Sequence, residues 1–209
     1  KWTRTDPWMT SFVDLDLSHP GGLIGLVPGR SGASVRTWLN TQTPQWRAGI
    51  KIVAIDPSAP FASAIRDVLK DARIVVDHWH LDRLANLMLT QVRQRSARDQ
   101  HGRRGRKNDL TWAHRQLLLR AGDGLSARAR VRLDELFASD DPSGHIKAAW
   151  QIKEALRHLL KANDRHTISN RLHTFHELVS AADMDETTRL ATTIDRWWPE
   201  VLAFLETRI

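Results

Sequence analysis

The chain has 209 residues, enough for one or two domains, and 41% of them are hydrophobic, which allows a packed core. It contains no cysteine, which excludes disulfides, cysteine zinc sites and thiol catalysis. The formal net charge of +7 favours a polyanionic partner, nucleic acid first, although charge alone fits a merely basic protein equally well.

The first part of the chain, up to about residue 77, has the pattern of an α/β fold. Residues 10–15 and 23–27 predict two strands joined by a turn rich in glycine and proline, and therefore a β-hairpin. A short helix follows, with Val35, Trp38 and Leu39 on one face.

Two further strands are predicted on either side of a helix. Residues 50–55 form an apolar run typical of a strand buried on both faces, and this run ends at Asp56. Ser58 and Pro60 have the residue types that cap and begin a helix. Residues 73–76 predict the next strand, which ends at Asp77.

The remaining part of the chain predicts helices only. Turn residues separate six apolar periodic segments, and no internal repeat is evident. The predicted helices are 80–98, 111–120, 126–138, 144–162, 166–182 and 186–207.

Asp56 is the most prominent candidate for chemistry. It follows a buried strand and precedes a helix, and open α/β sheets place ligands at such strand ends. A carboxylate there can bind a hard cation such as Mg²⁺. The alternative is that Asp56 serves only as a turn or capping residue.

Asp77 ends the next strand, so it comes close to Asp56 if the two strands are neighbours. The pair could then share a metal, or Asp77 could simply cap the following helix. His78 and His80 are two positions apart and do not face each other on a strand or a helix, so a zinc site built from them is not expected.

Residues 93–107 carry seven basic residues and one acidic residue, Asp99. Because Gly102 and Gly105 disfavour a continuous helix, this segment is predicted to be a mobile basic loop that binds DNA phosphates. The alternative is an ordinary solvated charge run. The candidate DNA contacts in it are Arg93, Arg95, Arg98, Arg103, Arg104, Arg106 and Lys107.

The segment IVAIDPSAPFASAIRDVLKDARIVVDHWHLDRLAN, at residues 52–86, resembles DDE-type insertion-sequence transposases of the ISL type. The hairpin, the segment GRSGASVRTWL at residues 29–39 and the arginine-rich segment resemble that family too. The resemblance implies a partial RNase H-like mixed sheet over residues 9–77. It divides the chain into a partial catalytic core, residues 1–79, and a helical insertion domain, residues 80–209.

The resemblance also implies roles for individual residues. Asp56 matches the second aspartate of a metal-binding Asp-Asp-Glu triad, which makes it the candidate catalytic and metal-binding residue. Asp77 and His80 match an acidic-x-x-His signature; Asp77 is taken as a supporting residue and His80 as a DNA contact. The implied cofactor is Mg²⁺, and the implied partner is DNA, the transposon ends and the target, with a possible homo-oligomer.

The order of the family's motifs places its first aspartate before Lys1 and its glutamate after Ile209. We therefore expect an internal fragment that does not cleave DNA alone, because one carboxylate cannot position the two cations of the family mechanism. Without the first strand, the sheet would have unpaired inner edges, so we expect a marginally stable and aggregation-prone chain.

The predicted function is that of a bacterial, cytoplasmic transposase. No apolar stretch approaches the length of about 20 residues that spans a bilayer, and no signal peptide is visible. One alternative is a non-catalytic DNA-binding remnant. Another is a helical interaction module, in which Arg103 and Arg104 would be replaceable without loss of function.

Overall fold

The computed structural model describes residues 8–16, 18 and 21–209. Backbone contacts divide the chain into two compact units. Residues 1–77 and Ile209 form the first, which we call the α/β unit, and His78–Arg208 form the second, the helical unit. The combination of α/β and all-helical structure agrees with the fold class expected from the sequence.

The α/β unit begins with the predicted hairpin. Strands β1 (Met9–Asp14) and β2 (Gly22–Pro28) pair antiparallel, with a bulge between Phe12 and Val13. His19 and Pro20, which were expected in the turn, lie outside the described residues.

One face of the hairpin packs against the next helix. In α1 (Gly32–Thr41), Val35 and Leu39 are buried, and the Trp38 ring stacks on Phe12 of β1 with ring centroids 3.7 Å apart. A short helix that the sequence analysis missed, α2 (Pro44–Gly49), follows. It begins with Pro44 at N1, and the Thr43 side chain accepts a hydrogen bond from the amide of Trp46.

The second pair of strands forms a β-α-β arrangement. Strand β3 (Ile52–Ile55), helix α3 (Ala59–Val68) and strand β4 (Arg73–Val76) follow one another, and β3 and β4 pair in parallel. Such pairs require a crossover connection, here supplied by α3. Ser58 is the N-cap residue of α3, but its side chain makes no capping hydrogen bond.

Among the described residues, the strands form two separate two-stranded sheets, β1–β2 and β3–β4. One expectation about these strands was wrong, namely that β3 is buried on both faces. Strand β3 is half-exposed, with Ala54 exposed, whereas Ile74, Val75 and Val76 of β4 are buried. The reason is that β3 has one paired edge among the described residues, so its apolar run is not enclosed by neighbouring strands.

The helical unit contains eight α-helices and one 3₁₀ turn, Gly122–Gly124. Two of the predicted helices are each divided, one at His114 and the other at Trp197, just before Pro199. The helices are α4 (His78–His101), α5 (Leu110–Ala113), α6 (Arg115–Leu119), α7 (Ala127–Ser139), α8 (His145–Leu160), α9 (Arg165–Ala182), α10 (Asp185–Arg196) and α11 (Trp198–Thr207).

Helix α8 lies at the centre of this unit, in contact with α4 and α9. Its apolar face is fully buried, and Phe175 of α9 is among the largest buried side chains. Two charged residues of α8, Lys153 and Glu154, are buried with it and form an ion pair of 2.6 Å.

The prediction of a mobile loop over residues 93–107 was wrong in its first half. Helix α4 continues to His101, because this stretch consists mainly of helix-favouring residues and buries Ser96 and Ala97 on its inner face. The helix ends at Gly102, which has a φ of 62°, a left-handed conformation that favours glycine.

Candidate functional site

The parallel pairing of β3 and β4 brings two acidic residues to the same edge of their sheet. Ile55 pairs with Val76, so the next residues, Asp56 and Asp77, leave the sheet at the same level. The amide of Asp77 donates a hydrogen bond of 3.1 Å to the carbonyl of Ile55, which continues the ladder beyond β4. The backbone register therefore fixes the spacing of the two aspartates.

A carboxylate oxygen of Asp56 and one of Asp77 lie within 4.8 Å of each other. Asp56 is exposed and Asp77 is half-buried, so the pair is accessible to solvent. Oxygen ligands on adjacent strand ends suit a hard divalent cation, which takes its remaining ligands from water or substrate. We call Asp56 and Asp77 the acidic pair.

The strand-end position of Asp56 and its proximity to Asp77 are the geometry on which the metal-site hypothesis depended. His80 follows Asp77 by three residues and is half-buried in the first turn of α4. The catalytic role of Asp56 and the DNA contact by His80 stay predictions.

The seven basic residues between 93 and 107 fall into two groups. Three of them are buried or paired with an acidic residue: Arg93 is 8% exposed, Arg95 pairs with Glu186 at 2.8 Å, and Arg103 pairs with Asp109 at 2.8 Å. The four others are exposed, one in the last turn of α4 and three in the following loop, namely Arg98, Arg104, Arg106 and Lys107.

Arg95 and Glu186 join α4 to α10. The Arg95 guanidinium donates to both carboxylate oxygens of Glu186, at 2.8 and 3.4 Å. Burial alone would raise the pKa of Glu186, but the hydrogen bond from Arg95 keeps that pKa below its usual value. Arg95 therefore supports the packing of the helical unit.

Asp109 organises the loop that follows α4, and the sequence analysis missed it. Its carboxylate accepts two hydrogen bonds from Arg103, at 2.8 and 3.1 Å, and one from the amide of Arg106, at 2.6 Å. These hydrogen bonds hold the pKa of Asp109 well below its usual range. The available signal was an acidic residue just beyond a basic run, which sequence spacing alone does not assign to a partner.

Aromatic side chains can stack on nucleic-acid bases, and the tryptophans of the helical unit differ in their environments. Trp197 is 7% exposed and belongs to the core, whereas Trp79 is 59% exposed. Trp112 is half-buried, with the Arg115 guanidinium 4.0 Å from its ring centroid. Burial excludes Trp197 as a stacking platform in this conformation.

The helical unit also contains a cleft of about 410 Å³, lined by residues of α4, α8 and α11 and by Lys161 and Arg208. Arg157 in this cleft pairs with Glu154 at 2.7 Å and with Asp123 at 3.2 Å, and Lys161 pairs with Asp123 at 2.6 Å. Burial raises the pKa of Asp82 on the cleft wall, against the opposing charge of Arg157. Arg157 and Lys161 therefore already have acidic partners.

A family model described as "Transposase", of the ISL3 class of DDE transposases, matches residues 1–209. The chain belongs to this transposase family. It is also 30% identical over 141 residues to the transposase for insertion sequence element IS1001 of Bordetella parapertussis. That match covers 63% of this chain and 32% of the relative, so the chain spans about a third of the curated transposase it resembles.

No solved structure matches the chain. The family match confirms the resemblance that was inferred from residues 52–86, including its assignment to insertion-sequence transposases. No helix among the described residues of this transposase is both long and apolar enough to cross a membrane.

Proposed function

We propose that the chain contributes the metal-binding edge of a DNA transposase and that the acidic pair binds a divalent cation, Mg²⁺ in the cell. The observation that supports this most directly is the approach of the Asp56 and Asp77 carboxylates to within 4.8 Å at the ends of two parallel strands. The family match supplies the reaction class, cleavage and transfer of DNA strands.

The acidic pair fits a hard cation. Its two side chains offer carboxylate oxygens, and the chain has no cysteine that would favour a softer metal. When bound in such a site, Mg²⁺ polarises a phosphodiester and stabilises the charge on its leaving oxygen. Asp56 corresponds to the family's second triad aspartate, and Asp77 adds a carboxylate that the family resemblance alone treated as supporting.

Metal binding tests this proposal directly on the full chain. We expect Mn²⁺, as a paramagnetic substitute for Mg²⁺, to bind the wild type and to be displaced by Mg²⁺. Asp56→Asn and Asp77→Asn each remove a ligand charge with little change of shape, so each should weaken Mn²⁺ binding by about tenfold or more. The free Mn²⁺ concentration is measured by electron paramagnetic resonance.

Asp71→Asn is the matched control, because Asp71 is an exposed aspartate of the same unit that lies in the turn before β4. It should bind Mn²⁺ like the wild type. If the Asp56 and Asp77 variants bind as tightly as the control, the acidic pair is not a metal site.

The resemblance assigns one carboxylate of this chain, Asp56, to the catalytic triad. We therefore expect the isolated chain to leave supercoiled plasmid DNA uncut in Mg²⁺ or Mn²⁺, because the family mechanism positions two cations with three carboxylates. Robust nicking that Asp56→Ala abolishes would contradict this expectation.

We also propose that the α/β unit belongs to an RNase H-like catalytic core, over residues 1–79, and that residues 80–209 form its helical insertion domain. An antiparallel hairpin followed by a parallel β-α-β arrangement, with aspartates after both parallel strands, supports this assignment. The assignment requires a further strand that joins the two pairs into one mixed sheet. An experimental structure of the protein tests it.

DNA is the proposed partner. Its proposed contacts are the exposed basic residues of the 93–107 segment, namely Arg98, Arg104, Arg106 and Lys107. Phosphate neutralisation by arginine and lysine releases counterions, so binding should weaken steeply as salt increases. Salt-dependent DNA binding with neither metal binding nor cleavage would favour the second candidate, a non-catalytic DNA-binding protein.

A homo-oligomer stays a proposal, for which sedimentation analysis is the test.

A further inference from the structure

The loop of residues 102–109 has a defined conformation despite its four basic residues. It leaves α4 at Gly102 and enters α5 after Asp109. Gly105 packs directly against Trp112, since a Cβ at position 105 would lie 2.9 Å from the Cβ of that tryptophan. A segment with such close contacts is a built structure rather than a solvated charge run.

Asp109 makes most of the contacts that hold this loop. Besides the two bonds from Arg103 and the one from the Arg106 amide, its own amide donates a hydrogen bond of 2.9 Å to the Arg106 carbonyl. Arg103 also donates to the carbonyl of Arg104 at 2.9 Å. The residues from 103 to 106 are thereby tied to one carboxylate.

The remaining three cations of the loop point their charge at solvent. Arg104, Arg106 and Lys107 are exposed, and their side chains make no hydrogen bond or ion pair within the described part of the chain. Three cations within four positions, on a backbone fixed by Asp109, form a compact positive surface. A partner with a regular row of negative charges, such as the phosphate backbone of DNA, complements this surface.

We propose that residues 102–109 form a preordered phosphate-binding loop for DNA, in which Asp109 and Arg103 fix the backbone and Arg104, Arg106 and Lys107 contact phosphates. This inference rests on DNA as the proposed partner and assigns different roles to the basic residues. Asp109 is a positioning residue, and it acts by reducing the entropy that the loop loses when it binds.

The proposal predicts an effect of opposite sign to simple charge counting. Asp109→Asn removes one negative charge, so electrostatics alone would make DNA binding tighter. If Asp109 positions the loop, the same substitution releases Arg103 and weakens DNA binding, by about threefold or more. Asp134→Asn is the matched control, because Asp134 is an exposed aspartate on α7 and its replacement changes the net charge equally.

Binding is measured on the full chain by fluorescence anisotropy with a labelled DNA duplex of mixed sequence, over a range of salt concentrations. The triple variant Arg104→Ala, Arg106→Ala, Lys107→Ala should lower the slope of log affinity against log salt by about 0.9 for each phosphate that the loop no longer neutralises. The triple variant Arg128→Ala, Arg132→Ala, Arg165→Ala removes the same charge from exposed positions elsewhere in the helical unit and should change the slope much less.

A second readout reports the loop without DNA. Hydrogen exchange at the Arg106 amide and trypsin cleavage after the arginines and the lysine of residues 103–107 should both become faster in Asp109→Asn, whereas the helices keep their exchange rates. Weaker DNA binding together with a looser loop supports the proposal. Binding by Asp109→Asn that is equal to or tighter than that of Asp134→Asn overturns the positioning role, and so does an unchanged loop.

The outcome for the proposed function is separate. If the wild type binds DNA and the loop triple variant binds equally well, this loop does not bind the phosphates, although DNA stays the partner. If the wild type shows no salt-dependent DNA binding at all, both this inference and the DNA partner are wrong, whereas the Mn²⁺ titration of the acidic pair is unaffected.

Discussion

Helix α8 of the helical unit and the hairpin of the α/β unit differ sharply in how they use apolar residues. Helix α8 buries eight of its residues, whereas β2 buries none. Leu23 is 65% exposed, Leu26 is 54% exposed and Val13 is 52% exposed. The helical unit is therefore packed within itself, and the hairpin has an apolar face that the described residues of its own unit do not cover.

The difference follows from how helices and strands satisfy the hydrogen bonds of their backbone amides and carbonyls. A helix pairs its amides and carbonyls internally and needs only an apolar stripe to pack, which α4 and α9 provide for α8. A strand pairs its amides and carbonyls with neighbouring strands, so an edge without a neighbour stays unpaired, and its apolar face needs cover from another element. In the described residues, each strand of the α/β unit has one strand partner.

The largest effect is expected from the buried charge of the helical unit. Lys153 is 1% exposed, and its ammonium donates to the carbonyls of Leu118 and Arg120 at 2.9 and 2.7 Å. Lys153→Met leaves these carbonyls and Glu154 without that partner, so it should lower the free energy of unfolding by about 3–5 kcal/mol. Urea unfolding followed by circular dichroism measures this change.

Lys147→Met is the control for this substitution, because Lys147 is exposed on the same helix. Its effect should stay within about 0.5 kcal/mol. A destabilisation at Lys153 as small as that at Lys147 would show that the buried ion pair does not hold α6 against α8.

A leucine-to-alanine substitution made once in each unit compares the packing of the two units directly. Leu156→Ala removes a fully buried side chain from α8 and should cost about 2–5 kcal/mol through reduced burial and a cavity. Leu26→Ala removes a side chain that is 54% exposed and should cost about 0.5 kcal/mol or less. A large destabilisation at Leu26, measured by hydrogen exchange of the β1 and β2 amides, would indicate that the hairpin face is covered in solution.

The sequence predicted local elements well and long-range partners poorly. The strand ends at Asp56 and Asp77 follow from apolar runs, and their proximity follows from parallel pairing. The exposure of β3 could not be predicted, because it depends on which strands lie beside it. Likewise, the pairing of Arg95 with Glu186 joins residues 91 positions apart, a separation at which local patterns carry no information.

The same limit explains the basic segment. Charge density alone predicted one uniform DNA-binding loop, although Arg93 is buried and Arg103 is fixed by Asp109. Helix propensity and the position of Gly102 could have extended α4 to His101. The two roles of the cations become apparent only when their acidic partners are known.

The exposed hairpin face should make the chain prone to self-association. Replacing Val13, Leu23 and Leu26 with threonine keeps β-favouring residues but reduces the apolar surface, so we expect less aggregation on warming with little change in unfolding. Light scattering measures this effect. Val131→Thr, at a residue 56% exposed in the helical unit, should leave aggregation unchanged. Equal aggregation of the triple variant and the wild type would contradict a role for the hairpin face.

The smallest effect concerns acid stability of the helical unit. Ion pairing with Lys161 and Arg157 lowers the pKa of Asp123 to about 2 from its ordinary value of 3.8. Because the folded-state pKa is the lower one, this carboxylate contributes stability above the ordinary pKa, and that contribution is lost as the pH falls towards 2. Asp123→Asn should therefore be slightly less stable than the wild type at neutral pH, and the difference should vanish in acid.

Unfolding is measured between neutral pH and about pH 2 for both proteins, with Asp134→Asn as an exposed control on α7. The effect is small because Asp123 is exposed, and solvent screens exposed ion pairs. Hydrogen exchange nevertheless separates the two units, because the amides of α8 report on the helical unit and those of β1 and β2 report on the α/β unit. An acid-dependent difference in the strands and not in α8 would contradict the assignment of Asp123 to the network around Arg157 and Lys161.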